Sequence, residues 1–408
     1  MTGTPERVVV TGRGVVSSIG FGVAEFVEGL RAGRNEVAPL TAFDTTGFAY
    51  ANGSEVTGFE PADWLTRTPV DQLGRASAFA VAAARMALAE AGLDAAELRD
   101  RPGHISVGTA DGEARDLDAL AADTVARGAE TVDPALVERA ATHRLSASIA
   151  WEFGLEDVTP MTFPTACSAG NYAIGDGLDA IRVKDADYAL VGGVDATCRR
   201  SFASFYRLGI MSPDRCRPFD ADRQGILSGE GAGILLLESL TSARARGAAI
   251  HAEVLGYGLN CDAHHAFAPE EKSIQRCMEA ALRDAGVRPD DVDLISAHGT
   301  GTKSNDVTEI RAIKSVYGDR TPPVISLKSM LGHTMGASAA LGAIASSIAI
   351  NEGFVPPTVN HRTPDPELGI DCVPNRSVAA DVRIVQNNGF AFGGNNAIVL
   401  LGRYEESR

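Results

Sequence analysis

The stretch MALAEAGLDAAEL (Met86–Leu98) returns as MEAALRDAGVRPDDV (Met278–Val292), and an apolar, strand-like run follows each copy. Both copies put apolar residues at helical spacing and then stop, with Gly92 and Gly286 in equivalent places. The chain also resumes a VVVTG-like strand near Ala252–Gly256. A repeat of helix, turn and strand at this scale predicts an internal duplication. The halves fall at about 1–250 and 251–408, the first enlarged by insertions, of which the acidic, Ala-rich stretch Asp111–Pro134 is the best candidate. No Pro/Ser linker separates the halves, so they are expected to pack as one body.

Working outward, short apolar runs recur between the helical ones. Arg7–Gly12, His104–Gly108, Tyr188–Gly193 and Gly233–Leu237 read as buried strands, as do Ala252–Leu255, Leu294–Ala297, Val324–Leu327 and Ala397–Leu401. Ala76–Ala91 reads as a helix. Buried strands interleaved with helices predict an α/β layered fold with sheet covered on both faces.

Composition narrows the function. The 408 residues carry 37 Lys+Arg against 53 Asp+Glu, a net charge of −16, which disfavours a phosphate backbone as partner. Six scattered cysteines without a CxxC pair read as a reduced, cytoplasmic set rather than a disulfide frame or a zinc site. The N-terminus, MTGTPERVVVTG, has no signal-peptide pattern. Met330–Ile350 lacks formal charge and is long enough to span a bilayer, but its Gly, Ser, Thr and His content predicts a buried small-residue helix. No membrane association is expected.

Four segments carry residues capable of chemistry. In PTACSAGNYAIGDGLDAI (Pro164–Ile181), Cys167 stands at the N-terminus of a predicted helix. Unpaired amides there are expected to lower its pKa below the ordinary ~8.5, although a buried structural thiol is the commoner fate of a free Cys. In AHGTGTKSNDVTEI (Ala297–Ile310), His298 follows an apolar strand, with Thr300, Thr302, Asp306 and Glu309 behind it. Thr and Asp in such a loop also serve as plain helix caps. In SLKSMLGHTMGASAA (Ser326–Ala340), Lys328 and His333 sit between a strand and a helix, a setting read as equivalent to that of His298. In NNGFAFGGNNAIVLL (Asn387–Leu401), two glycines after Phe392 form a turn able to present backbone N–H groups to an oxyanion. One thiol and two imidazoles suit thioester chemistry: the sulfur takes an acyl group and neutral imidazoles donate to an enolate oxygen. Asp262, His264 and His265 are a poor metal set, since adjacent histidines do not readily share one ion.

Taken together, VVVTGRGVVSSIG, TACSAG, RPFDADRQGILSGEGAGILLLE (Arg217–Glu238), AHGTGT, KSMLGH and GFAFGGNNA resemble the β-ketoacyl synthases, in family order and over nearly the whole chain. The resemblance implies a thiolase-like layered fold (α-β-α-β-α) with two duplicated halves, the first carrying the nucleophile and the second both catalytic histidines. It implies Cys167 as acyl acceptor, and His298 and His333 as the pair supporting decarboxylation and condensation. Lys328 and Glu309 match an ion pair behind them, with Asp306 alongside. Thr300 and Thr302 match contacts to a phosphopantetheine arm, and Phe392 a gate whose amide joins that of Cys167 in an oxyanion hole. The implied partner is an acyl carrier protein, with no metal or other cofactor, and Arg67, Arg75, Arg199 and Arg200 are the remnants of a docking patch.

HGTGTKSND looks closer to polyketide ketosynthases than to the HGTSTPxGD form of fatty-acid enzymes, and Phe267 stands where the latter often carry Thr. The reading is therefore a discrete type II polyketide ketosynthase performing decarboxylative Claisen condensation. A fatty-acid elongation synthase is the alternative within the class. A thiolase would need a second Cys near Phe390–Asn396, which is absent, and a non-catalytic scaffold would lack a reactive Cys167. A dimer is expected through the strand before Cys167 (Val158–Thr165), either as a homodimer or with a chain-length-factor-like subunit.

Overall fold

The structure is a computed structural model and describes residues 6–406; Met1–Pro5, part of the segment read as lacking a signal peptide, lie outside the described residues. Eleven strands build the main sheet, ten along its path and the two-residue strand Gly20–Phe21, which pairs with the end of the first. In chain order the ten are β1 (Val8–Ser17), β2 (Gly103–Gly108), β3 (Val158–Phe163), β4 (Tyr188–Asp195) and β5 (Gly231–Ser239). They continue with β6 (Ala252–Cys261), β7 (Leu294–Ser296), β8 (Val324–Ile325), β9 (Ile384–Phe390) and β10 (Asn395–Gly402). Eight helices matter here: α1 (Arg75–Glu90), α2 (Arg144–Phe153), α3 (Ala169–Arg182) and α4 (Arg199–Arg207), then α5 (Glu271–Ala285), α6 (Lys303–Tyr317), the single turn α7 (Lys328–Leu331) and α8 (Ala337–Glu352).

The strand order is β8-β7-β9-β10-β6-β1-β5-β4-β2-β3. The strands of the two halves form one continuous sheet, because β1 and β6 join them through the pairs Val9–Glu253 and Val10–Ala252. Helices still sort into layers. α1 and α2 pack on β1, β2, β4 and β5 from outside, and α5 and α6 cover the second set in the same way. α3 and α8 lie between the sets, where Ile174, Leu178, Leu341 and Ile344 meet Leu235, Leu237, Val385 and Val399. This is the α-β-α-β-α stack of the thiolase-like fold.

The central strands of the two sets are built alike. β1 carries a register shift between Val10 and Gly12 against β5, and β6 carries one between Val254 and Gly256 against β10. A Cβ on Gly12 would stand 2.1 Å from the Ala87 carbonyl oxygen, and one on Gly256 would stand 2.5 Å from the Ala285 amide nitrogen. Both helices therefore lie directly on their strand's backbone. Each helix ends as expected, with Gly92 at φ 66° and Gly286 at φ 63°.

Other expectations shift. β9 was not foreseen, because Gln386, Asn387 and Asn388 interrupt its apolar pattern although all three are buried. The charge-free stretch from Met330 divides into α7, a turn and the buried helix α8; among the described residues no helix is long and apolar enough to cross a membrane. The proposed insertion does expose half of the helix Ala114–Arg127, but Glu113 turns inward and accepts the Ala76 and Ser77 amides at the start of α1. β3 forms the outer edge of the sheet, with Thr159, Pro160 and Met161 exposed.

Candidate active site

Cys167 sits where β3 turns into α3. The chain reaches it through Ala166 at φ 54°, a left-handed conformation that costs an L-residue about 1–2 kcal/mol, then runs through one tight turn (Ala166–Ser168) into the helix. The start of α3 has no slack: a Cβ on Gly170 would stand 2.7 Å from the Ala340 nitrogen of α8. Cys167 is thus held near the helix N-terminus, as predicted, and is buried at 7% exposure. Its acidity is not as predicted. Burial pushes the thiol up to about 12, and the Lys328 ammonium only partly opposes this.

His298 follows β7 after one residue. Its amide and that of Gly299 both donate to Glu309, at 2.8 Å each, and the Gly301 amide donates to Asp306 at 3.2 Å. Glu309 and Asp306 lie one turn apart on α6, so the helix holds the loop through two carboxylates. Lys328 Nζ donates to the His298 carbonyl at 2.5 Å and reaches Nδ1 at 3.4 Å. The expected ion pair is absent: among the described residues, Lys328 Nζ has no carboxylate within 4.0 Å, and Glu309 is taken up by backbone amides and the side chains of Asn388 and Asn305. Asp306 instead accepts the Phe219 amide and faces Arg223 at 3.6 Å. Burial pushes Asp306 up to about 6 and also raises Glu309.

His333 is set differently from His298, contrary to the sequence reading. It follows the single turn α7 rather than a strand. Its amide donates to the Leu227 carbonyl at 2.7 Å, and its carbonyl accepts from Gly229 at 3.1 Å, a one-residue bridge to the RPFDADRQGILSGEG segment. The Met335 amide donates to His333 Nδ1 at 3.2 Å. The two imidazoles stand 5.5 Å apart, centre to centre, nearly perpendicular. Burial first, and the Lys328 charge second, hold both well below the ordinary imidazole range. Both rings are therefore neutral at physiological pH. Each Nδ1 faces a donor, so the proton of each sits on Nε2.

Cys167, His298 and His333 line one cavity of about 300 Å³, together with Thr300, Thr302, Asn305, Phe390 and Phe392. Phe205, Leu208, Ile210 and Ile226 form an apolar wall. Lys328, Glu309 and Asp306 lie behind this lining and are buried. Thr300 and Thr302 share a hydroxyl contact of 2.9 Å. The two glycines after Phe392 do not present free amides, since Gly393 donates to Ala266 and Gly394 to Ala391. The ring of Phe392 packs against Phe267 (5.0 Å) and Phe205 (5.7 Å).

The chain matches the model of the β-ketoacyl synthase N-terminal domain over residues 5–243 and that of the C-terminal domain over residues 251–362. It is 38% identical to the 3-oxoacyl-[acyl-carrier-protein] synthase 2 of Synechocystis sp., across 98% of this chain and 99% of that protein. The chain belongs to the β-ketoacyl synthase family. Among solved structures, this ketosynthase superposes with TM-score 0.97 and 56% identity on a chain of the ishigamide ketosynthase/chain length factor, covering 98% and 100% of the two chains. It also superposes, at TM-score 0.90 and 30% identity, on a chain from a type II PKS acyl-carrier protein complex with its ketosynthase, covering 98% and 100%. It is thus an acyltransferase-type condensing enzyme.

Of the four arginines read as a docking patch, one is otherwise engaged in this ketosynthase. Arg75 is committed to the buried Glu230 and the Val56 carbonyl, whereas Arg67, Arg199 and Arg200 are exposed. His265 Nδ1 accepts the Phe267 and Ala268 amides, and Asp262 accepts from Glu270 and Asn396, so these two brace loops. Asn388 and Asn305 hold Glu309. Both lie inside chemistry-bearing motifs, but nothing in a sequence marks a buried amide as a partner until the fold brings a carboxylate to it.

Proposed function

We propose that this ketosynthase extends chains in type II polyketide assembly, taking acyl and malonyl groups from an acyl carrier protein. In the first half-reaction the Cys167 sulfur bonds to the acyl carbon, and the carrier thiol leaves with the thiol proton. In the second, malonyl carrier loses CO2, and the Nε2–H groups of His298 and His333 donate to the enolate oxygen that forms. The enolate carbon then bonds to the acyl carbon, the Cys167 sulfur leaves and takes a proton from solvent, and a β-ketoacyl carrier departs.

The backbone amides of Cys167 and Phe392 hold the oxyanion, the Phe392 ring gates the cavity, and Thr300 and Thr302 contact the pantetheine arm. Lys328, Glu309 and Asp306 hold the histidine loop rather than touch substrate. The phosphopantetheine belongs to the carrier, and the cycle consumes no metal or organic cofactor. The enzyme acts in the cytoplasm as a dimer, with a chain-length-factor-like subunit favoured over a second copy.

The observation carrying the polyketide reading is the 56% identity to a chain of a ketosynthase/chain length factor structure, against 38% to a fatty-acid-type relative. Reconstitution with carrier, with and without the adjacent subunit, tests it through product mass. Poly-extended products that require the second subunit support it. Fatty-acyl products formed by the chain alone transfer the enzyme to fatty-acid elongation. Cys167→Ala is expected to lose the acyl adduct and all condensation while keeping its fold, since one sulfur in a small-residue turn contributes little packing.

A further inference from the structure

Asp195 closes β4, is fully buried, and has no part in the cycle described above. Four donors converge on its carboxylate. The Thr109 hydroxyl and the Asp111 amide donate to Oδ1 at 2.6 and 2.9 Å. The Ala110 and Gly336 amides donate to Oδ2 at 2.8 and 2.6 Å. Burial, ahead of the nearby Asp111 carboxyl, pushes Asp195 up to about 7, and the donors oppose this by favouring the ionised form.

Gly336 decides what this carboxylate holds. It lies three residues after His333 and is the residue from which α8 starts. The fit admits nothing larger, because a Cβ there would stand 2.5 Å from Thr109 Cα and 2.8 Å from Asp195 Oδ2. The His333 turn is therefore fixed at one end by its bridge to Leu227–Gly229 and at the other by Asp195. On its far side, Asp195 grips the Asp111 amide, and the Asp111 carboxyl accepts the Ser201 hydroxyl of α4, the helix that supplies Phe205 to the cavity wall.

We propose that Asp195 is a positioning residue for decarboxylation: through the Gly336 amide it holds the His333 imidazole in register with Cys167. This rests on the reading of His333 as an enolate donor. Asparagine cannot take over, since it keeps one acceptor oxygen and turns an NH2 group toward two of the four donors.

The test compares wild type with Asp195→Asn in the full chain, reading CO2 release from malonyl carrier and, separately, the acyl adduct on Cys167 by mass spectrometry. A register error of an ångström costs as much as 10²-fold, so CO2 release should fall about 10- to 100-fold in kcat with KM little changed. Acyl loading should persist, and the imidazole NMR signals of His333 should move while those of His298 stay. Equal losses in both half-reactions, or unchanged CO2 release, overturn the proposal. If Asp195→Asn does not fold, Thr109→Val removes one donor and leaves the carboxylate; the same split in smaller measure supports the role, and no split overturns it. A wild-type chain that loads acyl groups yet releases no CO2 sinks the underlying reading of His333 and this inference with it.

Discussion

The two imidazoles share a cavity but are held by different kinds of support. His298 depends on distant parts of the chain: Glu309 holds its amide from eleven residues away, and Lys328 reaches its carbonyl and ring from thirty. The backbone of the His333 turn is also held from far away, by Leu227–Gly229 and Asp195, but the ring nitrogen itself meets an uncharged amide two residues on. A backbone N–H can fix a tautomer without bringing charge. A lysine that does so also depresses the ring's basicity and links it to whatever perturbs the lysine.

Three measurements break or sharpen this contrast. The largest effect is expected where either ring is removed. His298→Ala and His333→Ala should each lower CO2 release by about 10²–10³, the usual cost of one oxyanion donor, and retain acyl loading. A variant with intact CO2 release from malonyl carrier removes that histidine from the assigned role.

Lys328→Met should come next, lowering decarboxylation by about 10-fold through loss of the hold on the His298 ring. The sign of its pH effect follows from electrostatics. Lys328 is a cation that, after burial, depresses both imidazoles, so its removal lets them rise toward about 6.5. The acid limb of the pH–rate profile should then move to higher pH, and NMR titration should find the larger rise at His298, which the lysine touches. Equal movement of the two rings would erase the contrast.

The smallest effect is expected from Glu309→Gln. It keeps one acceptor for the His298 and Gly299 amides and removes the other, at about 1–3 kcal/mol of stability by thermal unfolding. Decarboxylation should fall several-fold, with the His333 signals unmoved.

Much of this site could be read in advance. Cys167, His298 and His333 each lie in a small-residue motif at an element boundary, and the apolar runs placed most of the strands. What escaped depended on partners far away in sequence. The Lys328–Glu309 pair is implied by the family resemblance, yet the fold delivers the Glu309 carboxylate to amides and leaves Lys328 on a carbonyl. β9 was hidden because its buried polar residues hydrogen-bond across layers: Asn387 donates to Asn171 and Ala339, and Asn388 to Glu309. The raised pKa of Cys167 is not legible in sequence because a helix terminus is visible there, whereas the depth at which it is buried is not.

The helix α8 belongs to the second half by sequence, but it is buried on nearly all sides and packs on β4, β5 and α3 of the first half as well as on β9 and β10. Its apolar surface is satisfied only when both halves are present. A chain cut near residue 250 would leave each fragment with a bare sheet face, so the two parts are expected to unfold together rather than as autonomous domains.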